Sequence, residues 1–178
     1  MMNFDEFNWL PQAEAFSQFT RCCGSRKWAE LMAARRPFHS IGQLLHTADE
    51  VWNSLCHDDW KEAFAHHPKI GDMENLKQKF GDTSQWASGE QSGIKGAPDE
   101  VLRKLADQNH CYEEKFGYIF IVCATGKGAV EMLRLLEERL INEPALEISV
   151  AAGEQSKITK LRLEKLFALS QKNKLDHP

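Results

Sequence analysis

The sequence has no apolar run approaching the ~18 residues that a membrane-spanning helix requires. Its first residues, MMNFDEFNWL, carry acids where a secretory signal peptide carries positive charge. Its last residues, KLDHP, contain neither a retention nor a peroxisomal address. These absences predict a cytoplasmic protein that does not associate with membranes.

Cysteine is sparse, since the five residues are dispersed without CxxC spacing, which argues against a disulfide framework and a zinc site. The net charge of −4 provides no basic field for nucleic acid. The motifs HExxH, GxSxG and GxGxxG are absent, and TGKG at 125–128 lacks the rest of a phosphate loop. The common metal, nucleophilic-serine and dinucleotide sites therefore have no support.

What the sequence does contain is the punctuation of helices joined by short loops. Pro11 suits the first turn of a helix that runs to about Cys23, with Gly24 as its stop. Ser25 and Ser40 suit the N-caps of the next two helices. We predict an all-α, multi-helix bundle forming a single domain over residues 1–178, with loosely ordered ends at 1–8 and 171–178.

Further helices are predicted from Asp58 or Asp59 towards Pro68, over 73–80, from Pro98 to Gly117, over 129–140 and over 145–170. Gly153 is a possible break in the last of these helices. The stretch 81–98 contains four glycines and is predicted to be mostly loop.

The segment YIFIVCA, residues 118–124, does not fit a helical pattern. It is β-branched and aromatic, and taken alone it resembles a buried strand. No other segment looks like a partner strand, so we expect buried, extended or irregularly helical backbone between two helices. Its buried N–H and C=O groups then need partners, and a ligand is one candidate.

Arg162 lies within an apolar helical arc. On a helical wheel over 158–167 it falls between Ile158 and Leu166, while Lys165 lies nearer the edge of the arc. A buried guanidinium is costly unless an anionic or hydrogen-bonding group meets it. That group is either a structural acid, which is the commoner case, or a substrate carboxylate.

Two other segments offer groups that can exchange protons or orient a ligand. His67 directly precedes Pro68 at a helix end, where it serves either as a proton-transfer group or as a surface residue stabilised by the helix dipole. Adjacent helical residues face different ways, so His66 and His67 do not predict a two-histidine metal site. Glu90 and Gln91 lie in a glycine-rich loop, where the simpler alternative is a solvated acid.

Five segments occur in order along nearly the whole chain: ARRPF (34–38), HHPKIGD (66–72), GEQSG (89–93), KFGYIFIVCATGK (115–127) and ITKLRL (158–163). In this combination the chain resembles the family of 2-oxo-4-hydroxy-4-carboxy-5-ureidoimidazoline (OHCU) decarboxylases. The resemblance implies an all-α enzyme that uses no cofactor, forms a homodimer and converts OHCU to (S)-allantoin during urate breakdown.

The resemblance also implies roles for particular residues. His67 would transfer the proton, Glu90 would orient the substrate together with Gln91, and Arg162 would hold the substrate anion. The remaining residues expected to contact substrate are Pro68, Ala87, Ser88, Gly89, Phe120, Ile121, Val122, Cys123 and Ala124. Ala87 departs from the family, which often has serine three residues before the motif glutamate.

Two alternatives stay open on the sequence alone. A non-catalytic helical module that binds a ureide or a protein would show no enantioselective decay of OHCU. A ring hydrolase on the same scaffold would give a product that keeps the carboxylate, so release of CO2 separates it from a decarboxylase.

Overall fold

A computed structural model describes residues 4–68 and 99–172, and within them every side chain except those of residues 99, 102 and 168–172. The described residues contain eight helices and no strand, which confirms the predicted all-α class. The helices are α1 (Phe4–Asn8), α2 (Gln12–Cys23), α3 (Arg26–Ala34), α4 (Ile41–Asn53), α5 (His57–Ala65), α6 (Asp99–Phe116), α7 (Ala129–Leu140) and α8 (Pro144–Lys172). The predicted helix over 73–80 and the predicted loop over 81–98 lie outside the described residues.

The chain forms two compact units, and the first comprises residues 1–63 and 156–178. Its core is built on aromatic rings packed edge to face. Phe7 lies 5.1 Å from both Phe19 and Phe167, and Phe19 lies 5.7 Å from Trp28. Such pairs add about 0.5–1.5 kcal/mol each beyond the burial of their surface. The N-terminal residues that were expected to be loosely ordered therefore include a short helix whose Phe7 is fully buried.

The predicted stop at Gly24 and the predicted caps at Ser25 and Ser40 are confirmed, and local hydrogen bonds account for them, whereas α5 begins at His57, just before the predicted Asp58 or Asp59. Gly24 ends α2 in the left-handed conformation, at φ +91°, and its N–H donates to the Thr20 carbonyl. The Ser25 hydroxyl accepts from the Trp28 N–H at 3.3 Å, and the Ser40 hydroxyl accepts from the Gln43 N–H at 3.1 Å. These caps satisfy N–H groups that the first turn of a helix leaves without a partner.

Replacing Ser25 by alanine is expected to lower the free energy of unfolding by about 1 kcal/mol, because the cap of α3 is lost. Ser25 is fully buried, so water cannot take over its hydrogen bond. Urea denaturation followed by circular dichroism measures the change. Ser17→Ala, at an exposed position of α2, is the matched control and should change stability by less than about 0.5 kcal/mol.

The second unit comprises residues 64–155 and contains α6, α7 and the first part of α8. Gly117 ends α6 at φ +77°, and its N–H donates to the Glu113 carbonyl, as its predicted role as a stop requires. The Lys115 ammonium donates to the carbonyl of Leu140, the last residue of α7, and to the carbonyl of Asn142, two residues later. The core is lined by Leu105, Tyr112, Phe116, Met132, Leu136, Ile148 and Ala151.

Gly153 does not break α8, and the possible break at this position was wrong. Glycine in a helix interior costs about 1 kcal/mol relative to alanine. Burial on both sides of Gly153 offsets that cost, since Ala151, Ala152 and Gln155 are buried while Gly153 itself is exposed. Tertiary packing therefore overrides the local preference of the glycine.

Candidate functional site

Residues 119–124 form the buried connection between α6 and α7 and have no regular secondary structure. This confirms the prediction of buried, irregular backbone between two helices. The five predicted substrate contacts of this segment, Phe120, Ile121, Val122, Cys123 and Ala124, are each at most 8% exposed. The segment ends in a tight turn, in which the Lys127 N–H donates to the Ala124 carbonyl and Gly126 adopts φ +79°.

Side chains provide hydrogen bonds to the backbone of this segment that a neighbouring strand would otherwise provide. Arg139 Nη1 donates to the Ile121 carbonyl at 2.6 Å. The Cys123 N–H donates to Glu154 Oε2 at 2.8 Å, and Lys127 Nζ donates to the Cys123 carbonyl at 2.8 Å. All three contacts join a charged side chain to a backbone dipole, and two of them connect residues that lie 18 and 31 positions apart in sequence.

Arg139 belongs to a buried network in the second unit. Its Nε donates to Glu147 Oε1 at 2.7 Å, its Nη2 donates to the same oxygen, and Nη2 also meets the Tyr112 hydroxyl at 3.2 Å. Asn142 Nδ2 donates to the other oxygen of Glu147 at 2.6 Å, and Tyr112 donates to Oε1. Glu147 is fully buried, and both of its carboxylate oxygens are hydrogen-bonded. The guanidinium is therefore held in one orientation.

Tyr112 of this network and Tyr118, whose ring centroid lies 5.9 Å from that of Tyr112, stay neutral across the physiological range. Burial raises the pKa of Tyr112 far above its ordinary value, with the positive charge of Arg139 opposing and the hydrogen bond to Glu147 adding to the shift. Burial is the main cause that raises the pKa of Tyr118 to about 12, and the negative charge of Glu147 is the second cause. Tyr112 therefore keeps its hydroxyl proton at neutral pH and donates it in the hydrogen bond to Glu147.

His67 lies just beyond α5, directly before Pro68, as the sequence predicted. Its N–H donates to the Phe64 carbonyl at 3.1 Å, and the residue is only 9% exposed. The neighbouring His66 is exposed, so the two histidines do face different ways. The burial of His67 argues against its interpretation as a surface residue at a helix end.

Arg162 belongs to the first unit and is 8% exposed, which confirms its predicted position in the apolar arc of the last helix. Its Nη1 donates to the Cys22 carbonyl at 3.3 Å. Ile158 is buried on the same helix face, whereas Lys165 is exposed, as expected for the edge of the arc. A backbone carbonyl thus takes up part of the hydrogen-bonding capacity of the guanidinium.

The thiols near Arg162 are protonated at neutral pH. Burial raises the pKa of Cys22 to about 12, although the charge of Arg162 opposes the shift, and burial raises the pKa of Cys23 to about 11. We therefore expect only the two exposed cysteines, Cys56 and Cys111, to react rapidly with Ellman's reagent in the native protein at pH 8. Addition of denaturant should release all five thiols, whereas fast native reaction of more than two would contradict these placements.

The structure places the predicted site residues as follows. His67, Pro68 and the segment 120–124 belong to the second unit, and Arg162 belongs to the first. Ala87, Ser88, Gly89, Glu90 and Gln91 lie outside the described residues. The convergence of His67, Glu90 and Arg162 stays a prediction.

Sequence reasoning missed Arg139, Glu147 and Glu154. A signal for Arg139 was available, because it lies three residues after Leu136 and seven after Met132, both of which are buried on α7. It is therefore a second arginine on an apolar helix face. Its partners are distant in sequence and leave no local pattern.

Within the described ranges no group of three or more histidines, cysteines or acids could hold a metal ion. No helix among the same residues is long and apolar enough to cross a membrane.

Comparisons with known proteins identify relatives of this chain. The family model for OHCU decarboxylase matches residues 8–164. The chain is 38% identical over 148 residues to the uric acid degradation bifunctional protein TTL of Arabidopsis thaliana, which covers 83% of this chain but 45% of that protein. It is 32% identical over 134 residues to the OHCU decarboxylase of Amia calva, which covers 74% of this chain and 75% of that protein. The chain thus spans less than half the length of the plant relative.

A solved structure of OHCU decarboxylase in the presence of (S)-allantoin aligns with a TM-score of 0.71 and 37% identity, over 85% of this chain and 97% of that one. A structure of (S)-allantoin synthase aligns with a TM-score of 0.70 at 20% identity, over 93% of this chain and 54% of that one, and shows the shared fold. With the family model matching most of its length and the helical fold shared with a solved member, the chain belongs to the OHCU decarboxylase family.

Proposed function

We propose that the protein is a cofactor-independent carboxy-lyase that converts OHCU to (S)-allantoin in urate degradation. Membership of the family supports the reaction class, and relatives of this chain carry the names OHCU decarboxylase and uric acid degradation protein. The observation that carries the proposal is the burial of His67 at a position outside regular helix. Imidazole is the side chain best suited to exchange a proton near neutral pH, as general acid–base catalysis requires.

The chemistry of OHCU explains why side chains can suffice. One ring carbon carries the carboxylate and the hydroxyl, and the adjacent carbon carries the ureido group and a ring C=N bond. When the C–COO⁻ bond breaks and CO2 leaves, the electron pair forms a C=C bond between these carbons while the C=N electrons move to nitrogen, which takes up a proton. The product of this step is an enol, so the ring itself holds the electrons.

Each proposed residue then has one role. Arg162 binds the carboxylate of the substrate, and backbone groups of the segment 120–124 contact the ring. Glu90 and Gln91 fix the N–H and C=O groups of the ring. His67 takes the enol proton and delivers a proton to one face of the carbon that carries the ureido group. Delivery from one face would give a single enantiomer of allantoin.

Freshly generated OHCU, mixed with the protein and followed by circular dichroism, tests the proposal. We expect (S)-allantoin to appear faster than the slow spontaneous reaction, which gives the racemate, with one CO2 released per turnover. Decay at the spontaneous rate would favour a binding module instead. Turnover to a product that keeps the carboxylate would indicate a ring hydrolase.

We further propose that the protein acts in the cytoplasm as a homodimer, with each chain forming a single domain. The family resemblance supports the dimer. Sedimentation equilibrium should give about twice the chain mass of 20.3 kDa, and a monomer at micromolar concentration would contradict the dimer.

A further inference from the structure

The backbone of residues 119–124 needs external support to keep one conformation. Buried backbone outside helices and strands has N–H and C=O groups that must find partners. No strand lies beside this segment within the described parts of the chain. Three side chains contact its central peptide groups: Arg139 holds the Ile121 carbonyl, Glu154 holds the Cys123 N–H and Lys127 holds the Cys123 carbonyl. We refer to these three side chains as the backbone clamp.

We propose that the backbone clamp positions the peptide groups of the segment 120–124 for binding substrate, so that Arg139, Glu154 and Lys127 are positioning residues of the enzyme. This inference rests on the proposed function, in which the segment contacts the ring of OHCU. The clamp takes up the Ile121 carbonyl and both polar groups of Cys123. The substrate-facing groups are therefore those that neither the clamp nor the turn at Lys127 engages, and their directions follow from the peptide planes that the clamp fixes.

The rigidity of the clamp comes from the network behind Arg139. Besides the Ile121 carbonyl, the guanidinium bonds Glu147 and Tyr112, and it stacks 4.6 Å from the Phe120 ring. Side chains that position a binding group act best when their own rotamers are locked in this way. Arg139 therefore fixes both the backbone and an aromatic side chain of the segment.

Glu154 is the position at which the inference is best tested. Truncating Arg139 would leave the fully buried Glu147 without its cation, and such a variant risks unfolding. Glu154 is half-buried on the long helix α8, so its replacement leaves the core intact. Glu154→Ala removes the acceptor for the Cys123 N–H, whereas Glu154→Gln keeps an oxygen acceptor and loses only the charge.

For Glu154→Ala we expect KM for OHCU and Kd for (S)-allantoin to rise about tenfold, with kcat changed less than about threefold. The product should stay enantiomerically pure, because His67 is untouched. Amide hydrogen exchange at Cys123, measured by NMR, should become faster. Glu154→Gln should give changes in the same direction of about threefold or less. Glu164→Ala, an exposed carboxylate of the same helix, is the matched control and should match the wild type.

The outcomes separate the two proposals. A structural role alone would lower kcat through loss of active enzyme while KM and the Kd for allantoin stay unchanged, and that result would overturn the clamp. Unchanged exchange at Cys123 in both Glu154 variants would also overturn it. If the wild type itself does not decarboxylate OHCU, the proposed function fails and the clamp fails with it. Normal wild-type turnover with unaltered Glu154→Ala kinetics would contradict the clamp and leave the proposed function in place.

Discussion

His67→Ala is expected to lower kcat for OHCU by about 10²–10⁴-fold, the usual contribution of a positioned general acid–base group. The physical reason is that the proton which completes allantoin would then come from water, without a positioned donor. The small remaining activity should give allantoin of lower enantiomeric purity, since water can approach either face. Stopped-flow circular dichroism with freshly generated OHCU measures both quantities.

The burial of His67 makes a stability control necessary, because a cavity in its place costs free energy. His67→Gln keeps most of the volume and a hydrogen-bonding group, and it should be as slow as the alanine variant. His66→Ala, at the exposed neighbouring position, is the matched control and should keep wild-type activity. Rates within threefold of the wild type in both His67 variants would remove this residue from the mechanism.

Arg162→Met is expected to raise KM for OHCU by about 10- to 100-fold, equivalent to about 1.5–3 kcal/mol for a hydrogen bond to a charged group. Methionine keeps the apolar stem of the side chain and removes the guanidinium, so the surrounding helix face stays filled. Affinity for (S)-allantoin should change less than KM, because allantoin lacks the carboxylate that leaves as CO2. Steady-state kinetics and isothermal titration calorimetry with allantoin give the two constants.

Arg162 also donates to the Cys22 carbonyl, so a loss of stability alone would not identify its role. The decisive comparison is with Arg162→Lys, which keeps the charge but cannot form a two-point contact with a carboxylate. This variant should recover only part of the affinity. Lys165→Met, an exposed position one turn away, should leave both constants unchanged. An unchanged KM for OHCU in Arg162→Met would place Arg162 in a structural contact instead.

Together the two substitutions separate proton transfer from substrate binding. Loss of His67 should reduce kcat and leave the affinity for allantoin close to that of the wild type. Loss of Arg162 should weaken the binding of the substrate, which carries the carboxylate. A substitution that removes an interaction made only in the transition state lowers kcat. A substitution that removes binding throughout the reaction raises KM instead.

Much of the fold follows from short-range chemistry that can be seen along the chain. Gly24, Ser25 and Gly117 act within one helical turn, so their roles as stops and caps were predictable. The burial of Arg162 was also predictable, because helical periodicity alone places it among apolar neighbours. Gly153 was the exception, since burial on either side of it outweighs its intrinsic preference.

The sequence by itself indicated most of the helix starts and stops, and it indicated that residues 118–124 would be buried between two helices outside a helical pattern, because both depend on neighbours along the chain. Only the tertiary structure decided what supports that segment. The carboxylate of Glu154 reaches Cys123 across 31 residues, and Arg139 reaches Ile121 across 18. Such contacts depend on how helices pack, and a charged residue on a helix has the same local pattern whether it meets solvent or a buried peptide group.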